Sequence, residues 1–216
     1  MLELYGHPFS SYTWKALIPL YGYDIPFTFR PVRSGDEDND AFVMAASPFG
    51  KFPVLKTDGE TVIEATAIIE WLALSVPGAG SLVPDGRDGL ALRVHDRIYD
   101  NYVMASMQMT VDEFIAKQGG PVDRTVIAAS HDKLLRAYRW LEGQGVRPPR
   151  TAVIDLVDCA AAPALFYADW VLPIPDECPN LQAYRAHLLA IPAVKRCVDD
   201  ARPFRHYFPP GAPDRD

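Results

Sequence analysis

The sequence is poor in cysteine and in positive charge, and it has no long apolar run. Its three cysteines (Cys159, Cys178, Cys197) are widely separated among 216 residues and form no Cys-x-x-Cys pair. That pattern excludes a disulfide framework and a zinc knuckle, and it points to a reducing compartment. Lysine and arginine total 21 against 28 acidic residues, a formal charge of -7. Affinity for a phosphate backbone comes from clustered cations, so nucleic acid is excluded as the main partner. The longest apolar stretch, 159–168, is too short to span a bilayer and contains Pro163. The opening Met1-Leu2-Glu3-Leu4-Tyr5 lacks a basic n-region, so the expectation is a cytoplasmic protein without a membrane partner. His7, His95, His131, His187 and His206 show no metal-ligand spacing, and no metal is expected. What is present is a composition 49% hydrophobic, 23% charged and 11% aromatic, which fits one large or two small packed domains.

The first third and the remainder have different textures. Leu2–Tyr5 and Ile25–Arg30 read as short strands, and residues 54–56 and 61–63 flank Asp58-Gly59, a hairpin turn sequence. Between the first two strands, 11–21 reads as a helix in which Pro19 predicts a kink or an early end. Ile68, Ile69, Leu72, Ala73 and Val76 then repeat at helical spacing. Glycine and proline punctuate 77–89, and everything beyond reads as helical. The expected organisation is an α/β domain (βαβ then ββα) over 1–77, a linker over 78–88 and an all-helical bundle over 89–216. Within the bundle the chain breaks over 143–149, Asp155 and Asp158 cap a buried helix over 159–170, and Pro192 separates two shorter helices. The tail from Pro209 is expected to fray.

Three segments carry chemistry. In Gly6-His7-Pro8-Phe9-Ser10-Ser11-Tyr12-Thr13, hydroxyl residues crowd a helix start, where free amides and a partial positive charge suit an anion. Ser10 or Ser11 equally serves there as a simple N-cap. In Ser47-Pro48-Phe49-Gly50-Lys51-Phe52-Pro53, a proline stands at a strand start, a position that suits either a tight cis turn or a protected sheet edge. In Glu64-Ala65-Thr66-Ala67-Ile68, an acid precedes a helix; it can pair with an ammonium group, with the Ala65 and Thr66 amides facing a carboxylate. Thr61-x-x-Glu64 also has the spacing of a capping box.

In order and spacing, these segments together resemble the glutathione transferase family, and the Gly-His-Pro-x-Ser opening is most similar to its serine-type phi, theta and zeta groups. The resemblance implies a thioredoxin-like first domain, a helical second domain and a homodimer. It also implies glutathione bound across the first domain and an apolar electrophile held against the second. Ser10 matches the family's catalytic serine, with Ser11 and Tyr12 near enough to be alternatives. Lys51, Phe52, Pro53 (in cis), Glu64, Ala65 and Thr66 match the glutathione-binding positions. The resemblance is broken at Ala65, where the family has serine; the lost hydroxyl is worth about 1.5–3 kcal/mol, and Thr66 is the nearby substitute.

Phe9, Tyr99 and Tyr102 are the candidates for the electrophile pocket. Tyr99 and Tyr102 belong to a stripe with Met104, Met107 and Met109 that serves either as core or as a pocket wall. The implied activity is attack by the glutathione thiolate. Substitution, conjugate addition, dehalogenation and cis–trans isomerisation all begin there. The rival is a non-catalytic binding protein on the same scaffold.

Overall fold

Strand β1 (Leu2–Gly6) is the hub of the first domain. It pairs in parallel with β2 (Phe27–Pro31) on one side and antiparallel with β3 (Val54–Lys56) on the other. Strand β4 (Thr61–Ile63) closes the edge, giving the order β2-β1-β3-β4 among the described residues. This computed structural model describes residues 1–33, 35–148 and 154–216.

A parallel β1–β2 pair requires a crossover, which helix α1 (Ser11–Gly22) supplies. Residues 13–20 of α1 are buried without interruption, because α3, α7 and α9 pack around it. The helix does not end at Pro19; the Tyr23 amide still donates to the Pro19 carbonyl at 3.1 Å. Proline in a helix interior costs about 3 kcal/mol, and packing on several faces outweighs that local cost. Helix α2 (Glu37–Ala46) was not expected, since it buries only Val43 and so has no apolar stripe to read. Its first turn carries Glu37, Asp38 and Asp40, which complement the helix dipole. Residues 54–56 and 61–63 form the expected hairpin, and α3 (Ala65–Ser75) follows it.

The second domain is helical: α4 (Gly86–Ile98), a π-helical turn (Tyr99–Met104), α5 (Ala105–Lys117), α6 (Arg124–Gln144), α7 (Leu156–Val171), α8 (Pro179–Ala190) and α9 (Pro192–Ala201). Of the break expected over 143–149, the last residue lies outside the described residues. Helix α7 is the buried axis. Its capping box is complete: the Asp155 carboxylate accepts from the Asp158 amide at 3.4 Å, and the Asp158 carboxylate accepts from the Asp155 amide at 3.2 Å. Arg147 pairs with both acids.

One continuous core joins the domains, with Trp14 of α1 against Phe166 and Tyr167 of α7 at ring separations of 4.9 and 5.4 Å. Beside it lies an ionic joint. Lys15 of α1, 1% exposed, reaches Asp96 of α4 at 2.5 Å and Asp100 of the π turn at 2.7 Å. The C-terminal tail is tied down, not frayed. Phe208 is buried, the Arg215 guanidinium pairs with Asp169 and donates to its carbonyl at 2.8 Å, and Asp216 pairs with Arg202 and Arg205. These pairs lie outside any apolar periodicity, which is why a reading of periodicity missed them.

Candidate active site

The β1–α1 junction is drawn tight by Gly6, where an added Cβ would meet the Thr13 Oγ1 at 2.6 Å. The loop that follows is bonded at nearly every turn. The Phe9 amide donates to His7 Nδ1 at 3.1 Å, the Ser10 amide to the His7 carbonyl at 3.0 Å, and Trp14 Nε1 to the Pro8 carbonyl at 2.6 Å. Ser10 is the N-cap of α1, and its Oγ accepts from the Thr13 amide at 3.3 Å. Capping uses the oxygen as an acceptor and leaves the hydroxyl proton to be donated elsewhere. The bland and the chemical readings of Ser10 are therefore compatible.

Ser10 opens onto a cleft of about 850 Å³ between the domains, a size suited to a small-molecule ligand. Ser11 and Tyr12 line it too. Burial first, then Asp100, Glu64 and Asp96, push the Tyr12 phenol up to about 12, so near neutral pH Tyr12 keeps its proton.

The rest of the first-domain wall comes from the 47–53 loop and the start of α3. Lys51, Phe52 and Pro53 line the cleft, and the Phe52–Pro53 bond is cis, as the resemblance implied. Glu64 has φ 72° and ψ 121°, a conformation costing a non-glycine residue about 1–3 kcal/mol. It occupies the N-cap position of α3 without a side-chain cap bond, so the Thr61–Glu64 capping box does not form. Glu64 therefore lines the cleft beside the first amides of a helix. Ala65 lines the cleft as well. The Thr66 side chain does not: it turns inward, and its hydroxyl donates to Asp96 at 3.2–3.3 Å. It is spent on the interdomain joint and does not replace the hydroxyl missing at position 65.

The facing wall is mostly apolar, with Gln108 and Asp112 of α5 its polar members. Met104, Met107 and Met109 come from the π turn and α5, Tyr167 comes from α7, and Tyr207, Phe208 and Pro209 come from the C-terminal segment. Phe9 joins them, edge-to-face with Tyr167 at 5.4 Å. Two expectations for this pocket fail. Tyr99 is fully buried core and donates its hydroxyl to the Val146 carbonyl at 2.7 Å. Tyr102 is 61% exposed and lines a separate groove beside Lys133 and Trp140. A π-helical turn over Tyr99–Met104 shifts the phase of the helix, so 3.6-residue spacing put these tyrosines on the wrong face. Tyr167, Tyr207, Phe208, Gln108 and Asp112, all on the cleft, were not anticipated. A tyrosine inside the apolar run of α7 was the one available signal, because a buried phenol needs a partner.

Among the described residues no group of three metal-ligating side chains assembles. The fold and the site therefore define a class: a thioredoxin-like domain joined to a helical bundle, with a polar wall and an apolar wall meeting at a helix N-terminus.

Comparison with known proteins agrees. Residues 4–79 match the glutathione S-transferase N-terminal domain family. Glutathione S-transferase F6 of Arabidopsis thaliana is 25% identical over 209 residues, covering 91% of this chain and 99% of that protein. Glutathione transferase F7 of Populus trichocarpa superposes with a TM-score of 0.78 at 23% identity, covering 93% of this chain and 99% of that one. A glutathione transferase family member from Pseudomonas fluorescens, solved with bound glutathione, superposes with a TM-score of 0.78 at 20% identity, covering 91% and 98%. The chain thus carries a match to the glutathione S-transferase N-terminal domain over residues 4–79 and is similar to glutathione S-transferase F6 over 91% of its length.

Proposed function

We propose that the protein is a serine-type glutathione transferase in which Ser10 activates the thiol of glutathione for attack on a small, mostly apolar electrophile. The observation that carries this reading is the Ser10 side chain at the α1 N-terminus, which lines the cleft and whose oxygen accepts from the Thr13 amide, a role that leaves its proton available for donation. A free thiol with a pKa of about 8.5 is only about 3% thiolate at neutral pH, and the thiolate is the nucleophile. Lowering that pKa by about two units requires about 2.7 kcal/mol of preferential stabilisation of the anion. One hydrogen bond to a charged group contributes about 1.5–3 kcal/mol and a helix terminus about 0.3–1 kcal/mol. Together they suffice, and Ser10 need not lose its proton.

In this reading the Glu64 carboxylate takes the ligand's ammonium group, and the Ala65 and Thr66 amides take its α-carboxylate. Lys51 and the Phe52 backbone hold the remainder of the peptide. The methionine and aromatic wall takes the electrophile. We also infer the domain division 1–77, 78–88 and 89–216, a homodimer and a cytoplasmic location. Exposed Phe49, Leu74, Leu90 and Val94 support association, and light scattering tests it. The unpaired, buried cysteines support a reducing compartment. No helix among the described residues is long and apolar enough to cross a membrane.

The second reading, a binding protein without catalysis, is favoured by Ala65 alone. Calorimetric titration with glutathione, followed by turnover of an activated aryl chloride, separates the two. Heat of binding with turnover supports the enzyme, binding without turnover supports the binding protein, and no heat at millimolar glutathione removes the glutathione reading.

A further inference from the structure

Among the described residues, the loop that presents Ser10 is hydrogen-bonded to its own domain at every point but one. That exception is the Phe9 carbonyl, which accepts a hydrogen bond from the hydroxyl of Tyr167 at 2.8 Å. Tyr167 belongs to α7 in the helical domain and is 3% exposed. Its ring is fixed by Phe9 at 5.4 Å, Phe166 at 5.1 Å and Trp170 at 5.6 Å. Phe208, from the tethered tail, stacks on it at 6.1 Å.

The Phe9 carbonyl and the Ser10 amide are the two ends of one peptide plane. Tyr167 holds the oxygen, and the His7 carbonyl holds the N–H at 3.0 Å. Because the peptide is planar, fixing both ends fixes the last torsion of Phe9 and the first of Ser10. The first torsion of Ser10, φ -90°, sets where its Cα–Cβ bond points. A hydroxyl donor to an anion is effective only over a narrow range of distance and angle. We propose that Tyr167 is a positioning residue that aims the Ser10 hydroxyl from across the domain boundary. Ser10 thereby stabilises the thiolate only when the two domains are docked.

The inference rests on the reading of Ser10 given above, so its test carries both residues. Tyr167→Phe removes one oxygen and keeps the ring and its packing. Tyr99→Phe is the matched control, since it deletes a buried phenol oxygen bonded to a carbonyl at 2.7 Å outside the cleft. The readouts are the pH profile of kcat/KM with glutathione and an activated aryl chloride, the ultraviolet titration of the bound thiol, and KM for glutathione.

For Tyr167→Phe, the acid limb of the profile and the thiol titration both move to higher pH by about half to one unit. Turnover at neutral pH then falls about 1.5- to threefold, while KM for glutathione stays within about twofold. Ser10→Ala moves the same limb further, and Tyr99→Phe leaves it in place. If Ser10→Ala moves the limb and Tyr167→Phe does not, the positioning role is overturned and the Ser10 reading stands. Equal movement in Tyr167→Phe and Tyr99→Phe means general loosening and also overturns the role. If Ser10→Ala moves nothing, the reading of Ser10 fails and this inference falls with it.

Discussion

The two walls of the cleft are built by different physics. The first-domain wall is made of chain ends: a strand stopping at Gly6, a helix capped by Ser10, a cis proline at position 53, and Glu64 at the head of α3. Each part is set within a few residues, by a turn or a cap. The helical wall is made of side chains such as Met104, Tyr167 and Phe208, brought together from the π turn, α7 and the tail. Nothing local sets their meeting. A polar binding site can therefore be built from local punctuation, whereas the apolar pocket facing it depends on how long helices pack.

The sharpest way to break that contrast is at the joint between the walls. Lys15 is buried with Asp96 and Asp100, and burial already pushes the Asp100 carboxyl up. Lys15→Met leaves two carboxylates with only the half-exposed Arg97 guanidinium, 3.5 Å from Asp96, as a cation, and the expected loss of stability is about 3–5 kcal/mol in urea unfolding. A loss below about 1 kcal/mol would show that apolar packing alone docks the helical wall.

The next effect lies entirely on the polar wall. Ala65→Ser restores a hydroxyl at the cleft that Thr66, committed to Asp96, does not supply. Glutathione binding should tighten about tenfold by calorimetry, with the thiol titration unchanged. Unchanged affinity would mean that the α3 amides already satisfy the ligand.

The smallest effect is a pH response of the Ser10 loop. Burial first and Arg33 second hold the His7 imidazole below its usual 6.5, and its Nδ1 accepts the Phe9 amide only when unprotonated. The unfolded chain takes up a proton as pH falls through about 6.5 while the folded chain resists, so this contribution to stability is present above that pH and is lost below it. The midpoint of thermal unfolding should fall less steeply with acidification in His7→Asn than in the wild type. Identical slopes would remove His7 from the account.

The same contrast explains what was legible in the sequence. The hairpin around Asp58-Gly59 and the capped α7 followed from turns and caps, and the placement of Ser10, Lys51, Phe52, Pro53 and Glu64 on one cleft was implied by the family resemblance that their motifs carry. Helix α2 was not legible because one buried residue leaves no periodic signal. The early end that Pro19 suggested does not occur because α1 is packed on several sides, so tertiary contacts override a local breaker. Tyr99 and Tyr102 were misplaced because a π turn changes the period on which the stripe was read. Thr66 and Arg215 have partners 30 or more residues away, Asp96 and Asp169, and spacing carries no information about such pairs.

The most direct test of the central claim is the ultraviolet titration of glutathione bound to the wild type and to Ser10→Ala. The wild type should ionise the thiol near about 6.5, and Ser10→Ala should raise that value by about one to two units with little change in affinity. Superimposable titration curves for the two proteins would contradict the assignment of Ser10 as the donor to the thiolate.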